Sequence, residues 1–341
     1  MHGAVLSHSR SQSFLEAYCF SLGMDTSLRS QVLVLGSLFL VLLSPSCFAG
    51  ILKTCQFDAI YQLGDSISDT GNLIREDPLS PFARLPYGQT FFKNATGRCS
   101  DGLLMIDYIA LSAGIPFLEP YLNSDALFTR GRGVNFAVAG STALPVETLA
   151  ENNLPTVLLV GSLIGCFPIL MAYAAMKKRV VGYGATRVIV PGNFPIGCLP
   201  IYLSGFQSSD STAYDRFHCL KGLNNLAIHH NKLLKHAIKE LRKDLPNAII
   251  VYGDYYNAYQ KLLRKVELLG FDTKSTQKAC CGIGGDYDFS LTRMCGAPGV
   301  PVCSNPDQYV SWDGVHLTQK AYKFMAGWLI HHIYPQLQCR A

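Results

Sequence analysis

Ser66 lies in Gly64-Asp65-Ser66-Ile67-Ser68-Asp69-Thr70-Gly71-Asn72, directly after the apolar run Phe57 to Leu63. A serine hydroxyl is a poor nucleophile until a neighbouring base removes its proton. Far down the chain, Trp312-Asp313-Gly314-Val315-His316-Leu317-Thr318 offers that base. In an Asp-x-x-His loop both side chains can turn inward, so that the carboxylate holds one imidazole nitrogen and aims the other at the serine. Each motif alone is a weak signal, since a turn serine or Asp313 can equally serve as a helix cap. Together they specify acyl transfer through a Ser66-His316-Asp313 relay. Such chemistry needs donors for a developing oxyanion. The backbone amides of Ser66 and Gly140 are the candidates, because glycine lets a backbone come close to a ligand.

The elements that must position these residues follow from the apolar patterning. Phe57–Leu63 reads as a strand, which would set Ser66 at a strand's carboxyl end, where open α/β sheets bind their ligands. Leu103–Ser112 has helical spacing, with Ser100 or Asp101 as its cap. Gly133–Ser141 reads as a short strand ending in a small-residue turn, and Thr186–Val190 as a further strand running into Pro191-Gly192-Asn193. A long helix is predicted from about Tyr214 to Leu241, stopped by Pro246. Ala248–Tyr252 is the last strand, and a closing helix runs from about Thr318 to Tyr334. Continuous apolar strands alternating with helices predict an α/β fold whose parallel sheet is covered on both faces.

The chain has 341 residues, is 49% hydrophobic and 16% charged, and carries a net charge of +5. No Lys/Arg block concentrates that charge, so nucleic acid is not an expected partner. Arg29, the apolar run Val32–Leu43 and the small residues up to Ala49 read as an export signal. Residues 1–49 are thus assigned as a leader, with Met24 an ordinary start within it, and 50–341 as one catalytic domain. Twelve cysteines occur, and in an exported chain they favour disulfides over metal ligands. Cys280, Cys281, Cys295 and Cys303 read as a stapled loop and Cys198 with Cys219 as a second staple, although spacing does not fix the pairing. Asn94-Ala95-Thr96 is a glycosylation sequon. Gly282-Ile283-Gly284-Gly285 lacks the strand and helix of a dinucleotide loop, and His229-His230 and His331-His332 lack acidic partners at ligand spacing. Neither a cofactor nor a metal is expected. Val157–Ala175 is uncharged and long enough for a membrane span, but Gly161, Gly165 and Pro168 break it, so it is read as a buried strand turning into a buried helix.

Taken together, these residues resemble the plant GDSL esterase/lipase family of the SGNH hydrolases, in its acetylajmalan-esterase-like and sinapine-esterase-like branch. The matching blocks are Phe57–Asn72, Gly97–Gly102, Asn135–Gly140, Val190–Cys198, Cys280–Gly282 and Trp312–Thr318. The resemblance implies a flavodoxin-like three-layer α/β/α sandwich with a central parallel sheet. It implies hydrolysis of a small-molecule or lipid carboxylic ester through an acyl-enzyme, without a cofactor. Ser66 would be the nucleophile, His316 the base, Asp313 its orienter and Gly140 an oxyanion donor, in a secreted, glycosylated protein. One departure stands out. The family carries a Gly-x-Asn-Asp block after the Gly140 segment, whose Asn is a further oxyanion donor. Here the stretch around 150–180 is shortened and Leu159–Phe167 brings no Asn-Asp pair. Two rival readings therefore stand beside hydrolysis: a catalytically impaired splice or gene-model form, and acyl transfer to an alcohol.

Overall fold

A computed structural model describes residues 50–124, 132–141, 181 and 184–339. The predicted leader and Val157–Ala175 lie outside the described residues. In chain order the main elements are β1 (Ile60–Gln62), α1 (Leu73–Glu76), α2 (Met105–Ala113), β2 (Gly133–Asn135), β3 (Arg187–Pro191), α3 (Pro200–Gly205), α4 (Lys221–Asp244), β4 (Ile249–Gly253), α5 (Tyr255–Leu263) and α6 (Gln319–Ile333). β1 pairs in parallel with β2, Ile60 opposite Gly133, and β3 pairs in parallel with β4, Arg187 opposite Ile249. The expected α/β character with parallel pairing is present. β1 and β2 are shorter than expected, while β3 and β4 keep their expected five residues, shifted by one: β1 takes three residues of the Phe57–Leu63 run, and its Tyr61 is 65% exposed rather than covered.

α4 shows how patterning builds the body. Asn224, Ala227, Asn231, Leu234, Ile238 and Leu241 are buried at alternating steps of three and four, the stripe that one face of a helix presents. Leu234, Ile238 and Leu241 meet Ala248 and Ile250, with Val188 and Val190 packed alongside. Arg242 Nε donates to the Ile250 carbonyl at 2.7 Å, tying the helix to β4. The helix begins at Lys221, seven residues later than predicted. The Asp215 carboxylate accepts from the amides of Phe217 and Cys219 at 2.8 and 3.0 Å, and Cys219 is bonded to Cys198. Side-chain bonds to local amides compete with helix formation, and the disulfide fixes the turn that results.

The capping assignment for α2 also changes. Leu104 is the cap residue, and Asp107 in the first turn accepts from its amide at 2.8 Å. Asp101 instead accepts from the Gln319 amide at 2.7 Å, and the Ser100 hydroxyl donates to the Leu317 carbonyl at 3.0 Å. The Gly97–Gly102 segment thereby braces the start of α6, next to His316. Thr318 caps α6, its hydroxyl accepting from Ala321, so Asp313 is left for other work.

Four disulfides join the described residues: Cys55–Cys339, Cys198–Cys219, Cys280–Cys303 and Cys281–Cys295. The last two close the loop packed around Tyr87 and Trp312. Cys99 is buried as a free thiol.

Candidate active site

Ser66 follows β1 in a tight turn. The amides of Ser68 and Asp69 both donate to the Asp65 carbonyl at 3.0 Å, and the Asp65 carboxylate accepts from Ile67 at 3.0 Å. This turn lifts the Ser66 side chain away from the strand end toward the loop before α6. His316 Nε2 lies 2.8 Å from Ser66 Oγ, across a sequence separation of 250 residues. On its other side His316 Nδ1 lies 2.7 Å from Asp313 Oδ2. Asp313 Oδ1 accepts from the amides of Val315 and His316 at 3.0 and 2.8 Å. The side chains of His316 and Asp313 are only 5% and 1% exposed. A hydrogen-bonded line from carboxylate to imidazole to hydroxyl therefore stands in a largely dry setting, where each link is electrostatically stronger than in water.

Two residues without a role in the sequence reading join this line. The Tyr87 hydroxyl donates to Asp313 Oδ2 at 2.9 Å. Phe82 sets its ring edge-on to His316, centroids 5.9 Å apart. Neither carries a spacing signal; both come from the proline-rich loop that was legible only as a loop. Gly314 makes the turn between Asp313 and His316 possible. Its φ is +93°, and an added Cβ would overlap the Phe289 ring, so only glycine fits that conformation there.

The Asn135–Gly140 segment lies against the Ser66 turn through a polar lattice. Val138 donates to the Gly64 carbonyl at 3.1 Å, and Ala139 donates to Asp69 Oδ2 at 2.8 Å. Asn72 Nδ2 donates to the carbonyls of Asn135 and Ala137 at 2.9 and 2.8 Å, and Asn135 Nδ2 donates to the Ser68 carbonyl at 2.6 Å. Gly140 comes next, exposed and at φ +84°. Asn193, set apart in the sequence reading, has its amide on Asn231 Oδ1 at 2.7 Å and its carbonyl on Asn231 Nδ2 at 3.0 Å. Asn94 is exposed. Among the described residues, no three His, Cys, Asp or Glu side chains converge as metal ligands, and no helix is long and apolar enough to cross a membrane.

Burial alone would raise the Asp313 carboxyl. The neighbouring His316 charge, the bond to its ring and the two amide bonds outweigh burial and hold the group below its ordinary value of 3.8. A carboxyl depressed on folding stabilises the native state above its unfolded value and loses that contribution as the pH falls through the lowered one. Asp65 and Asp101 are raised by burial and act with the opposite sign. Thermal melts taken from neutrality down past the ordinary carboxylate range should show a shallower acid loss of stability in Asp313→Asn than in the wild type. Identical acid slopes would contradict this role for the carboxylate.

A serine in the turn after a strand, a buried histidine and a buried aspartate in one hydrogen-bonded line define a hydrolase-like constellation on an α/β body. Comparison with known proteins agrees: the GDSL-like lipase/acylhydrolase family profile matches residues 60–159 and 168–329. Acetylajmalan esterase 1 of Rauvolfia serpentina is 41% identical over 358 aligned positions, which take in 88% of this chain and 93% of that enzyme. Two GDSL esterase/lipases of Arabidopsis thaliana are 37% and 39% identical, covering 89% and 84% of this chain and 91% and 92% of their own. The chain belongs to the GDSL-like lipase/acylhydrolase family and is a carboxylic ester hydrolase.

The comparisons also bear on the unusual stretch. The family match breaks between residues 159 and 168, inside the uncharged run. The alignment with the Rauvolfia enzyme has 358 positions although the whole chain has 341 residues, so that relative carries residues with no counterpart here. The second Arabidopsis relative aligns over 299 residues and 84% of the chain, with far fewer such positions.

Proposed function

We propose that this protein hydrolyses a small-molecule or lipid ester with Ser66 as nucleophile, His316 as general base and Asp313 as its orienter. The observation that carries the reading is the continuous line of contacts: 2.8 Å from Ser66 to His316 and 2.7 Å from His316 to Asp313. His316 Nε2 takes the Ser66 proton as Oγ attacks the ester carbonyl, and Asp313 stabilises the imidazolium. The imidazolium returns the proton to the departing alcohol, leaving an acyl-Ser66. Water, deprotonated in turn by His316, releases the acid. The amides of Ser66 and Gly140 are proposed as oxyanion donors. In support, Asp69 and Asn72 hold the Ala139–Gly140 turn beside the Ser66 turn.

The reading extends to the setting. The strand pairs and helices are taken as parts of a three-layer α/β/α sandwich, with 50–341 forming one domain shortened around 150–180. Export behind a leader within residues 1–49 agrees with the four disulfides, since such bonds persist in oxidising compartments. Glycosylation at Asn94 agrees with that residue's exposure. Assays of the purified chain on p-nitrophenyl acetate and on longer-chain esters, with and without an acceptor alcohol, test the proposal. Release of free acid at an unchanged yield when alcohol is present is expected. A new ester as the main product would point to acyl transfer, and no turnover of any ester would favour an impaired form without the Asn donor.

A further inference from the structure

Among the described residues Asp313 receives four donors, and one of them comes from outside its own turn. Val315 and His316 give Oδ1 their amides, His316 Nδ1 meets Oδ2 at 2.7 Å, and Tyr87 reaches the same Oδ2 at 2.9 Å from 226 residues away. Tyr87 is 1% exposed. Its ring stands edge-on to Trp312 at 6.3 Å and to Phe82 at 5.0 Å, and Phe82 is itself edge-on to His316 at 5.9 Å. The next residue, Gly88, is fixed by its amide bond to the Ser100 carbonyl at 2.9 Å, in the segment that braces α6. The Tyr87 hydroxyl therefore has a rigid mount against the same carboxylate oxygen that meets His316.

We propose that Tyr87 is a positioning residue for ester cleavage, its hydroxyl holding Asp313 Oδ2 against His316 Nδ1 and taking up part of the carboxylate's charge, while Phe82 covers the imidazole edge. This rests on the reading of Ser66, His316 and Asp313 as the reacting line. Burial and the Asp313 charge push the Tyr87 hydroxyl far above its ordinary value of 10.0, so it remains a donor at every working pH. A hydrogen bond to a charged acceptor is worth more than one between neutral groups. Loss of this bond leaves the carboxylate more basic and strengthens its hold on the imidazolium. The base is then withdrawn at the acid end of the rate profile. The other groups facing the pair are Asp65 beside His316, and Cys99 and Tyr322 beside Asp313. Burial holds Cys99 and Tyr322 in their neutral forms, and a Tyr87 substitution replaces none of the three, although Cys99 also faces Tyr87.

The test is the pH profile of kcat/KM for p-nitrophenyl acetate in Tyr87→Phe, in full-length protein whose fold is checked by near-ultraviolet circular dichroism. We expect kcat to fall by roughly tenfold, the size of one hydrogen bond to a charged group, with KM little changed and the acid limb moved to higher pH. Incorporation of 3-fluorotyrosine at position 87 keeps the ring and makes a stronger donor, so it should move the limb the other way. A loss of rate with the limb in place would mean that Tyr87 only packs, and would overturn the proposal, as would unchanged kinetics. Ser66→Ala run alongside separates the two failures. If Ser66→Ala is inactive and the Tyr87 variants behave as wild type, the positioning role alone falls. If Ser66→Ala is active, the reacting line itself is wrong.

Discussion

Replacing Ser66 by alanine should lower kcat/KM for an activated ester by roughly 10⁴-fold or more, the scale on which serine hydrolases depend on their nucleophile. The size follows from what is removed. Without Oγ there is no acyl-enzyme, and His316 can only activate water that nothing holds in line. What remains is substrate binding and whatever the Ser66 and Gly140 amides do for a developing oxyanion. The fold should be unaffected, because among the described residues the Ser66 hydroxyl bonds His316 Nε2 alone, at 2.8 Å, and the turn is built from backbone bonds to Asp65. Steady-state kinetics paired with a thermal melt checks both halves. Wild-type turnover in the variant would remove Ser66 from the mechanism. A large drop in melting temperature would show that the serine serves the fold instead.

The second large effect lies in the scaffold. Asp69→Ala should destabilise the protein by about 4 kcal/mol or more, read as the shift of the urea midpoint. Asp69 is fully buried, and its carboxylate accepts from Gly71 and Asn72 at 2.7 Å each, from Leu73 at 3.1 Å and from Ala139 at 2.8 Å. A buried donor deprived of its acceptor costs about 1–3 kcal/mol, so four of them outweigh a typical single substitution even if entering water serves some. Native stabilities run at about 5–15 kcal/mol, and much of this protein's reserve would go. Asp69→Asn keeps one acceptor oxygen and should fall between the two. Activity should fall along with stability, because the Ala139 bond is one of those that fasten the Gly140 turn to the Ser66 turn. A shift worth under about 1 kcal/mol would mean that those amides find other acceptors and that the carboxylate is dispensable.

Much of the candidate site was legible in the sequence, and the reason is local. Gly-Asp-Ser behind an apolar run and Asp-x-x-His ahead of a helix are short segments whose backbone directs their own side chains, so residue type and spacing carried Ser66, Asp313 and His316. Tyr87 is different. Its contact with Asp313 spans 226 residues, and nothing in a proline-rich loop tells which aromatic ring turns inward. The same division runs through the fold. The apolar stripe of α4 announced the helix, but its start depended on Asp215 side-chain bonds and on the Cys198–Cys219 link, which no periodicity contains. The Cys280–Cys303 cluster was visible as a stapled loop, while Cys55–Cys339 closes 284 residues and leaves no local trace. Asp101, read together with Ser100 as the cap of α2, instead accepts from the first amide of α6, a helix capped by Thr318 and brought beside it only by folding.

The most direct test of the central claim is reaction with a fluorophosphonate, followed by peptide mass spectrometry. Only a serine activated by a neighbouring base attacks phosphorus at a useful rate. A single adduct on the peptide carrying Ser66, lost together with ester cleavage in His316→Ala, is the expected result. An unlabelled Ser66 in protein that still cleaves esters, or labelling at another serine that tracks the activity, would contradict the account.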